Sequence, residues 1–291
     1  MFSPQNISER SALAAFLVIP LKDLDAVVAG LDRYYRKKER PKENGVRLIY
    51  VPQGKLRAIQ DKIKQRIFAD LEFPNHLHGG IKDRSILSNA RPHVRKQTVA
   101  VLDVKDCYPS ITPVHVKAVF DALGFRGHAG ALLTRLTTYK YQIPMGSPCS
   151  TALANLVLAP VDIRMLALAR QYNFTYSRFV DDMTLSGSER LAKFSRLTAR
   201  IVKEEGFGVK QGDKAKVMRR NTRQSVTKLT VNWKLNVSRA KRSEILAEAV
   251  DRLHTDTVDA KIRGKVGWVN SVNRNVGKRL LKAIKKEHPS N

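Results

Sequence analysis

Residues 173–187 read NFTYSRFVDDMTLSG and place two adjacent carboxylates, Asp181 and Asp182, between two mostly apolar runs. This pattern predicts a strand, a turn and a second strand. Two like charges at such short range repel each other, and an aspartate pair in a turn is usually a solvated feature. The pair therefore indicates either a hairpin tip in water or a site for a partner with at least two positive charges.

A third carboxylate lies upstream, inside a strand that the sequence predicts to be buried. The run TVAVLDV at 98–104 is nearly continuous, β-branched and apolar, and it contains Asp103. Burying an unpaired ionised carboxylate is costly, so Asp103 needs a nearby cation or a position at the strand end. If this strand neighbours the 173–187 hairpin, three carboxylates converge. Such oxygen ligands select Mg²⁺, and two ions could activate an attacking hydroxyl and stabilise a leaving pyrophosphate.

The charge balance indicates a polyanionic partner. Lys and Arg number 53 against 26 Asp and Glu, which gives the 291-residue chain a formal net charge of +27. So large an excess repels itself in the compact state. Because the basic residues are spread along the whole chain, we expect nucleic acid rather than a membrane surface as the partner.

Cysteine content and hydropathy narrow the class of protein further. The two cysteines, Cys107 and Cys149, lack metal-ligand spacing, which predicts neither a disulfide framework nor a zinc site and fits a reducing cytoplasm. No apolar run approaches the roughly 20 residues that span a bilayer. A hydrophobic content of 43% allows a sizeable core.

Periodicity predicts a mixture of helices and strands with a helical C-terminal part. In chain order we expect a helix that runs into a basic loop at 21–42, a strand at 45–52, helices at about 113–124, 150–170 and 189–205, a hairpin at 225–238, and basic helices from Ser238 with breaks near Thr255 and Gly267. This order is typical of an α+β or a mixed α/β architecture.

Four stretches, in this order along the chain, resemble the motifs of reverse transcriptases. They are RLIYVPQGKLRAIQDKI (first finger-region motif), VLDVKDCYPSI (upstream aspartate motif), QIPMGSPCSTALANL (Pro-Gln-Gly-x-x-x-Ser-Pro stretch) and RFVDDMTLS (Tyr/Phe-x-Asp-Asp motif). The resemblance covers about residues 45–235. It implies an α+β right-hand polymerase fold, with an N-terminal region and fingers at 1–97, a palm with an antiparallel sheet at 98–235 (finger elements near 125–148), and a helical thumb at 236–291.

Further stretches resemble the bacterial retron reverse transcriptases within that family. ILSNARPHV matches their Asn-Ala-x-x-His signature at Asn89, Ala90 and His93, and SVTKLTVN approaches their Val-Thr-Gly signature. The tail RGKVGWVNSVNRNVGKRLLKAI resembles their thumb end. Two positions depart from the pattern, since Met145 replaces the usual Gln and Lys228 replaces Gly. The first bears on nucleotide and template-base contacts, and the second bears on the retron assignment.

The resemblance also implies roles for individual residues. Two Mg²⁺ ions would be held by Asp103, Asp181, Asp182 and the carbonyl of Val104. Nucleotide binding would involve Lys82, Arg84, Tyr108, Met145, Gly146 and Lys214, with Arg47 and Lys55 as weaker candidates and Lys216 as a rival to Lys214 near the pyrophosphate. Tyr108 would exclude a ribose 2′-hydroxyl. RNA contacts would come from Asn89, His93, Lys228, Trp233 and Trp268, with a structural role for His93 and core packing for either Trp as the alternatives.

The activity that the resemblance implies is RNA-directed DNA synthesis in the bacterial cytoplasm, from dNTPs and without a membrane partner. For a retron type, one structured non-coding RNA would serve as template and primer, the primer would be an internal guanosine 2′-hydroxyl, and the product would be a branched RNA–DNA hybrid (msDNA). The expected biological role is anti-phage defence with a separate effector protein. A group II intron-like or diversity-generating reverse transcriptase, and a non-catalytic RNA-binding scaffold, stay open as alternatives.

Overall fold

A four-stranded antiparallel sheet carries the aspartates that the sequence singles out. The computed structural model describes residues 6–42, 45–210, 212–251 and 260–286. Its strands are β1 (Tyr35–Lys42), β2 (Gly45–Pro52), β3 (Thr98–Asp103), β4 (Thr175–Phe179), β5 (Asp182–Gly187), β6 (Lys216–Arg219), β7 (Ser225–Val226), β8 (Leu229–Thr230) and β9 (Asn236–Val237). Within the described residues these strands form a β1–β2 hairpin, a sheet of order β4-β5-β3-β6 and a small sheet of order β7-β8-β9.

Helices surround the central sheet and make up the C-terminal part of the chain. They are α1 (Arg10–Leu17), α2 (Leu21–Ala29), α3 (Gly54–Ile63), α4 (Ile86–Ala90), α5 (Cys107–Ser110), α6 (Pro113–Ala122), α7 (Gly127–Thr137), α8 (Ser150–Val157), α9 (Ala159–Gln171), α10 (Ser195–Glu204), α11 (Arg239–Asp251), α12 (Ala260–Val272) and α13 (Arg274–Lys286). Short 3₁₀ or π turns lie at Leu31–Tyr34, Lys64–Phe68, Arg91–His93 and Glu189–Phe194. The architecture is α+β, as the sequence predicts.

The register of β3 against β5 brings the predicted carboxylates together. Asp103, the last residue of β3, is paired with Asp182, the first residue of β5. Strand β4 pairs with the other edge of β5 and leads into the turn that contains Asp181. Strand β6 pairs with β3 only as far as Val101, and beyond it the Lys210 N–H donates to the Asp103 carbonyl. The end of β3 therefore lies between β5 and the Lys210 segment, and three carboxylates meet at one edge of the sheet.

Two hydrophobic clusters hold this sheet in place. The larger one packs helices α1–α3 and α6–α10 against the sheet around Leu102, Met183 and Leu185. The smaller one packs the β7-β8-β9 sheet against α11–α13 around Val226 and Val269. Burial of these side chains supplies the main favourable term in folding. The two clusters cover opposite faces of the four-stranded sheet, since Ala100 and Leu102 of β3 belong to the larger cluster and Val99 belongs to the smaller one.

Several predicted elements differ from the structure. Residues 35–42 form strand β1 rather than a basic loop, because they pair with β2 along their whole length. The helix predicted at 150–170 is two helices, α8 and α9, with a 50° bend between them. Pro160 explains the break, since its ring cannot donate a backbone hydrogen bond and clashes with the preceding turn. Helix α12 runs through Gly267 without a break, and the break predicted near Thr255 lies outside the described residues.

The length and apolar character of the helices bear on whether any of them could cross a bilayer. Among the residues that the structure describes, no single helix is long and apolar enough to cross a membrane, and only the bent α8–α9 pair would pass by combined length and composition. The inward faces of this pair, including Leu153 and Met165, belong to the larger hydrophobic cluster.

Candidate active site

A strained turn between β4 and β5 presents Asp181. Val180 adopts a left-handed backbone conformation with φ of 59°, which is rare for a β-branched residue and persists only when the surroundings enforce it. Gly79 packs directly on this turn, and a Cβ at that position would lie 2.4 Å from Val180 Cγ2. On the other side, the Val104 N–H donates to the Asp181 carbonyl at 3.1 Å. The turn is therefore clamped between a glycine loop and the end of β3.

A buried guanidinium supports the same turn from inside the protein. Arg178 on β4 is fully buried and donates to the Val180 carbonyl at 2.8 Å. It forms a two-point ion pair with Asp162 on α9, in which Nε lies 2.8 Å from Oδ1. Asn155 accepts its remaining N–H groups at 3.1 Å, and Tyr176 donates to Asp162. Burial is the largest effect on the pKa of Asp162 and would raise it, but the hydrogen bonds from Arg178, His76 and Tyr176 and the charge of Arg178 together lower that pKa.

On the solvent side of the turn, carboxylates crowd one another. Burial and the charge of Asp103 raise the pKa of Asp181 above its usual value. Burial and the charges of Asp181 and Asp103 raise the pKa of Asp182 to about 7. Lys210 lies beside the cluster, with Nζ 3.4 Å from Asp103 Oδ2 and its backbone N–H donating to the Asp103 carbonyl at 2.9 Å. The charges of Lys210, Arg47 and Lys228 oppose the rise, but the pKa values of Asp181 and Asp182 remain raised.

This cluster fits a divalent cation better than it fits solvent alone. Asp103, Val104 and Asp181 line one cleft, whereas Asp182 is half-buried beside it. Carboxylate and carbonyl oxygens are the ligands that Mg²⁺ prefers. In the described ranges, no group of three His, Cys, Asp or Glu side chains is arranged to hold a metal ion by itself. Asp103, Asp181 and the carbonyl of Val104 are thus the groups that would hold a cation, and Asp182 adds negative charge from beside the cleft.

The cleft above the carboxylates has a volume of about 1150 Å³ and basic walls. Its basic side chains are Lys38, Arg40, Arg47, Arg57, Lys105 and Lys210. Tyr108, Met145 and Gly146 line it as well, and the Tyr108 hydroxyl lies 3.0 Å from Thr151 Oγ1. Carboxylates at the floor and cations along the walls are complementary to a phosphate chain that carries bound metal.

Two of the predicted phosphate-binding cations lie elsewhere. Arg84 donates to three backbone carbonyls within residues 73–77, which makes it a structural residue of that loop. Lys82 is exposed and does not line the cleft. The cleft is lined instead by basic residues of the β1–β2 hairpin, which include Arg47, a weaker candidate from the sequence, whereas Lys55 pairs with Asp23. The sequence does not indicate this role for the hairpin, because residues 35–42 have the composition of a basic loop rather than of a strand.

The predicted lysine near the pyrophosphate is also displaced along the chain. Lys214 is exposed and does not line the cleft, and Lys216 lies on β6 opposite Val101. Lys210, four residues before Lys214, contacts Asp103 instead. Of these three lysines, Lys210 is the one that lies beside the carboxylates, and the backbone hydrogen bond between its N–H and the end of β3 fixes its position.

Asn89 and His93 are interior residues rather than RNA contacts. His93 is fully buried, with Nε2 2.7 Å from Ser177 Oγ and Nδ1 2.6 Å from Ser186 Oγ. Since the Ser177 hydroxyl donates to Asn89 Oδ1 at 2.8 Å, His93 Nε2 donates to Ser177 and Nδ1 accepts from Ser186. Burial lowers the pKa of His93 to about 3. Asn89 Nδ2 reaches Thr227 Oγ1 at 3.5 Å, so the signature joins β4, β5 and the β7–β8 hairpin.

The other predicted RNA contacts divide into exposed and packed residues. Thr227 and Lys228 form the β7–β8 turn with φ of 44° and 69°, a geometry that favours Gly at the second position. Lys228 is exposed, and its charge partly offsets the rise in the pKa of Asp182. Trp268 packs against the smaller hydrophobic cluster, whereas Trp233 is 62% exposed. Lys228 and Trp233 thus stay accessible to a ligand, and Trp268 is a packing residue.

Arg178 and Asp162 are site residues that sequence reasoning missed. Each is a charged residue within an apolar pattern, Arg178 in the strand TYSRFV and Asp162 in the helix APVDIRML. The same logic that singled out Asp103 would have identified them as a buried pair.

The reverse transcriptase family is the class that this geometry and the sequence define. The family model described as reverse transcriptase (RNA-dependent DNA polymerase) matches residues 35–250, so the chain belongs to that family. It is 34% identical over 277 residues to the retron Mx65 reverse transcriptase of Myxococcus xanthus, covering 87% of this chain and 65% of the relative. It is 30% identical over 258 residues to the retron Ec86 reverse transcriptase of Escherichia coli, covering 87% and 80%. Within the family it belongs to the retron reverse transcriptases.

A third relative and a solved structure are also similar to this chain, and the chain spans only part of the length of some relatives. The chain is also 31% identical to the retron Se72 reverse transcriptase of Salmonella heidelberg over 238 residues, and it spans 65% and 62% of the lengths of the Mx65 and Se72 proteins. A telomerase structure from Candida albicans, in complex with the TWJ fragment of telomeric RNA, matches with a TM-score of 0.51 and 13% identity, covering 87% of this chain and 55% of that one. The fold is therefore that of a right-hand polymerase.

Proposed function

We propose that the protein is an RNA-directed DNA polymerase of retron type, which extends a primer hydroxyl with dNTPs on an RNA template. The observation that carries this proposal is the register of Asp103 with Asp182 beside the Asp181 turn. It places Asp103 and Asp181 in a cleft with basic walls and Asp182 beside that cleft, and the pKa values of Asp181 and Asp182 are raised. A protein that only bound RNA would gain nothing from this repulsion.

Different residues of the cleft have different roles in nucleotide transfer. Asp103, Asp181 and the carbonyl of Val104 would hold the metal ions, and Asp182 would strengthen the negative field. When bound, two Mg²⁺ ions lower the pKa of the primer hydroxyl and neutralise the developing charge on the triphosphate. Arg47 and the other cations of the β1–β2 hairpin bind the triphosphate oxygens.

Other side chains select the nucleotide and assist the leaving group. Lys210 Nζ donates a proton to the departing pyrophosphate oxygen, since it lies beside Asp103 at the edge of the cleft. The Tyr108 ring, held by its contact with Thr151, occupies the space that a ribose 2′-hydroxyl would need. Met145 and Gly146 shape the wall next to the base.

The finer parts of the proposal follow from membership in the retron group. The template and primer are one structured non-coding RNA, the priming group is an internal guanosine 2′-hydroxyl, and the product is branched msDNA. The protein acts in the bacterial cytoplasm in anti-phage defence, together with a separate effector protein. Fingers at 1–97, palm at 98–235 and thumb at 236–291 are the proposed domains. Support comes from the retron relatives, the Asn-Ala-x-x-His stretch and the net charge of +27.

A primer-extension assay tests the proposed reaction. The purified protein is given a DNA primer on a poly(rA) template with dTTP and Mg²⁺, alongside Asp181→Asn and a matched control, Asp213→Asn. Asp213 is an exposed acid outside the cleft, so its variant loses the same charge. We expect Asp181→Asn to lose DNA synthesis by about 10³-fold, because a cation ligand is worth several kcal/mol to the transition state. Equal activity in Asp181→Asn and wild type, or none in wild type, would contradict the proposal.

The retron assignment is tested separately with the co-expressed RNA. DNA made on that RNA is treated with a debranching enzyme, which releases the DNA from a 2′-linked product and leaves a linear product unchanged. Release supports the retron reaction, whereas a linear product favours the group II intron-like or diversity-generating alternative.

A further inference from the structure

A second basic groove lies around Trp233 and shares no lining residue with the catalytic cleft. Its volume is about 590 Å³. The residues that line it are Arg91, Val94, Arg95, Trp233, Lys234, Leu235, Val272, Asn273, Arg274 and Asn275. No Asp or Glu occurs among these lining residues. Within the described structure the groove, which we call the Trp233 groove, therefore presents positive charge, amide groups, one aromatic ring and the apolar side chains of Val94, Leu235 and Val272.

The indole of Trp233 is exposed to solvent rather than packed in a core. It is 62% exposed, and the guanidinium of Arg220 lies 4.0 Å from the ring centroid on one face. Trp268, the other tryptophan of the chain, packs against the smaller hydrophobic cluster as a core residue does. An exposed aromatic ring backed by an arginine is a platform on which a nucleic acid base can stack.

Hydrogen bonds fix this platform before any ligand binds. The backbone N–H of Arg95 donates to the Val231 carbonyl at 3.0 Å, and Arg95 Nε donates to the Trp233 carbonyl at 3.0 Å. Asn232 Nδ2 donates to the Arg220 carbonyl at 3.2 Å, which holds the loop that carries the stacked arginine. A site whose segments are already tied together has less conformational entropy to lose on binding.

The segment between α12 and α13 forms another wall of the groove and is hydrogen-bonded to the segment that carries Trp233. Asn273, between α12 and α13, donates through Nδ2 to the Leu235 carbonyl at 3.2 Å. This contact places the exposed Arg274 beside the exposed Lys234 and Arg91 along the groove. In the described part of the chain, none of these three cations takes part in an ion pair, and their charges therefore suit an external polyanion.

We propose that the Trp233 groove binds an unpaired segment of RNA outside the catalytic cleft. One base stacks on the free face of Trp233, and the flanking phosphates contact Arg91, Lys234 and Arg274. An unpaired segment is favoured over a duplex because the ring needs an accessible base face, which a paired and stacked helix does not offer. The inference rests on the proposed function, since it assigns a docking site to the RNA partner of the same protein.

The two tryptophans permit a direct test by fluorescence. The full-length Trp268→Phe variant has Trp233 as its single tryptophan, and base stacking quenches indole emission. We expect a 12-nucleotide single-stranded RNA to quench this variant, and the same sequence as a blunt duplex to quench it much less. Trp233→Phe, which retains Trp268, should show little quenching by either RNA. If Trp268→Phe does not fold, the difference in quenching between wild type and Trp233→Phe gives the same information.

Affinity provides the second readout. By anisotropy with the labelled single strand, Trp233→Ala should bind about tenfold more weakly than wild type, and Trp233→Phe should keep most of the affinity because it retains a stacking ring. Tyr141→Ala is the matched control, since Tyr141 is 70% exposed and lies outside the groove. Arg274→Gln should reduce the slope of log affinity against log salt by about one.

The outcomes separate this inference from the proposed polymerase. Single-stranded RNA that binds without quenching Trp233, or with equal affinity for wild type and Trp233→Ala, would overturn the groove assignment. Quenching by polyglutamate but not by RNA would assign the groove to an acidic protein and also overturn it. Because these are binding measurements, they stand whether or not DNA synthesis is detected in the primer-extension assay.

Discussion

The charges on the two sides of the β4–β5 turn differ in how they are balanced. On the inner side, Arg178 and Asp162 are both buried, but each is paired, and the remaining N–H groups of the arginine find backbone or side-chain acceptors. On the outer side, Asp181 and Asp182 stand beside Asp103 with raised pKa values and one lysine in contact. The same strained turn separates a balanced charge network from an unbalanced one.

This difference distinguishes structural from functional charge. A buried ion pair adds little to the net stability of the fold, because the attraction between its charges is largely offset by the cost of desolvating them. It does, however, hold the turn in one geometry. A cluster of like charges destabilises the fold, and a natural chain keeps it where an external cation completes the site. The inner network holds the turn, and the outer cluster is where we propose that metal binds. Four experiments test this division, in order of expected effect.

The largest effect should come from breaking the inner network. Arg178→Met leaves Asp162 buried without its partner, and we expect the free energy of unfolding to fall by about 3–5 kcal/mol in urea titrations. The double variant Arg178→Met with Asp162→Leu should recover much of this loss, since neither charge remains. Arg164→Met on α9 is the control, because Arg164 is a surface residue that pairs with exposed Glu204 and partly exposed Glu205, and its loss should change stability little. Equal stability of the single and double variants would contradict the pairing.

The second experiment distinguishes two lysines four residues apart. Lys210→Met should lower the rate of DNA synthesis by about 10²-fold, because it removes the proton donor for the leaving pyrophosphate. Lys214→Met, which removes the same charge outside the cleft, should leave the rate within about threefold of wild type. Single-turnover incorporation of one nucleotide is the measurement. If Lys214→Met has the greater effect, the assignment to Lys210 is wrong.

Much of this layout could be predicted from the sequence, because short-range patterns fix it. The β-branched run around Asp103 and the apolar runs around Asp181 each define a strand, and the pairing of these strands follows once both are buried on the same sheet. The right-hand polymerase fold, the α+β class and the retron group were predicted from motifs in order and are confirmed.

The remaining features depend on contacts between residues distant in the chain. Strand β1 reads as a basic loop because its pairing with β2, rather than its composition, makes it extended. The partners of Arg178 lie on α8 and α9, and the partners of His93 lie on β4 and β5. The spacing of residues along the chain does not show which loop lysine turns toward Asp103. These are properties of tertiary packing.

The third experiment uses the buried histidine. Burial lowers the pKa of His93 to about 3 from an ordinary value of 6.5, so between these pH values the unfolded chain holds a proton that the native state lacks. The free energy of unfolding should therefore fall as the pH drops below about 6.5, by about 1.4 kcal/mol per pH unit for this one group. His93→Gln should lose that part of the slope.

A second histidine contributes to the same dependence. Burial also lowers the pKa of His78 to about 4, so the His93 variant keeps the slope from that group. The exposed His128, changed to Gln, is the control and should leave the slope of wild type unchanged. Urea unfolding at several pH values between 4 and 7 gives the comparison, and equal slopes in wild type and His93→Gln would contradict the buried neutral histidine.

The most direct test of the contrast across the turn measures stability against Mg²⁺ concentration. Wild type should gain about 1.4 kcal/mol in free energy of unfolding when Mg²⁺ reaches ten times its dissociation constant, and Asp213→Asn should gain as much. Asp181→Asn should be at least as stable as wild type without Mg²⁺, because one repelling carboxylate is gone, and it should gain much less from the ion. No gain in wild type, or the same gain in Asp181→Asn, would contradict the claim that the outer carboxylates are held for metal.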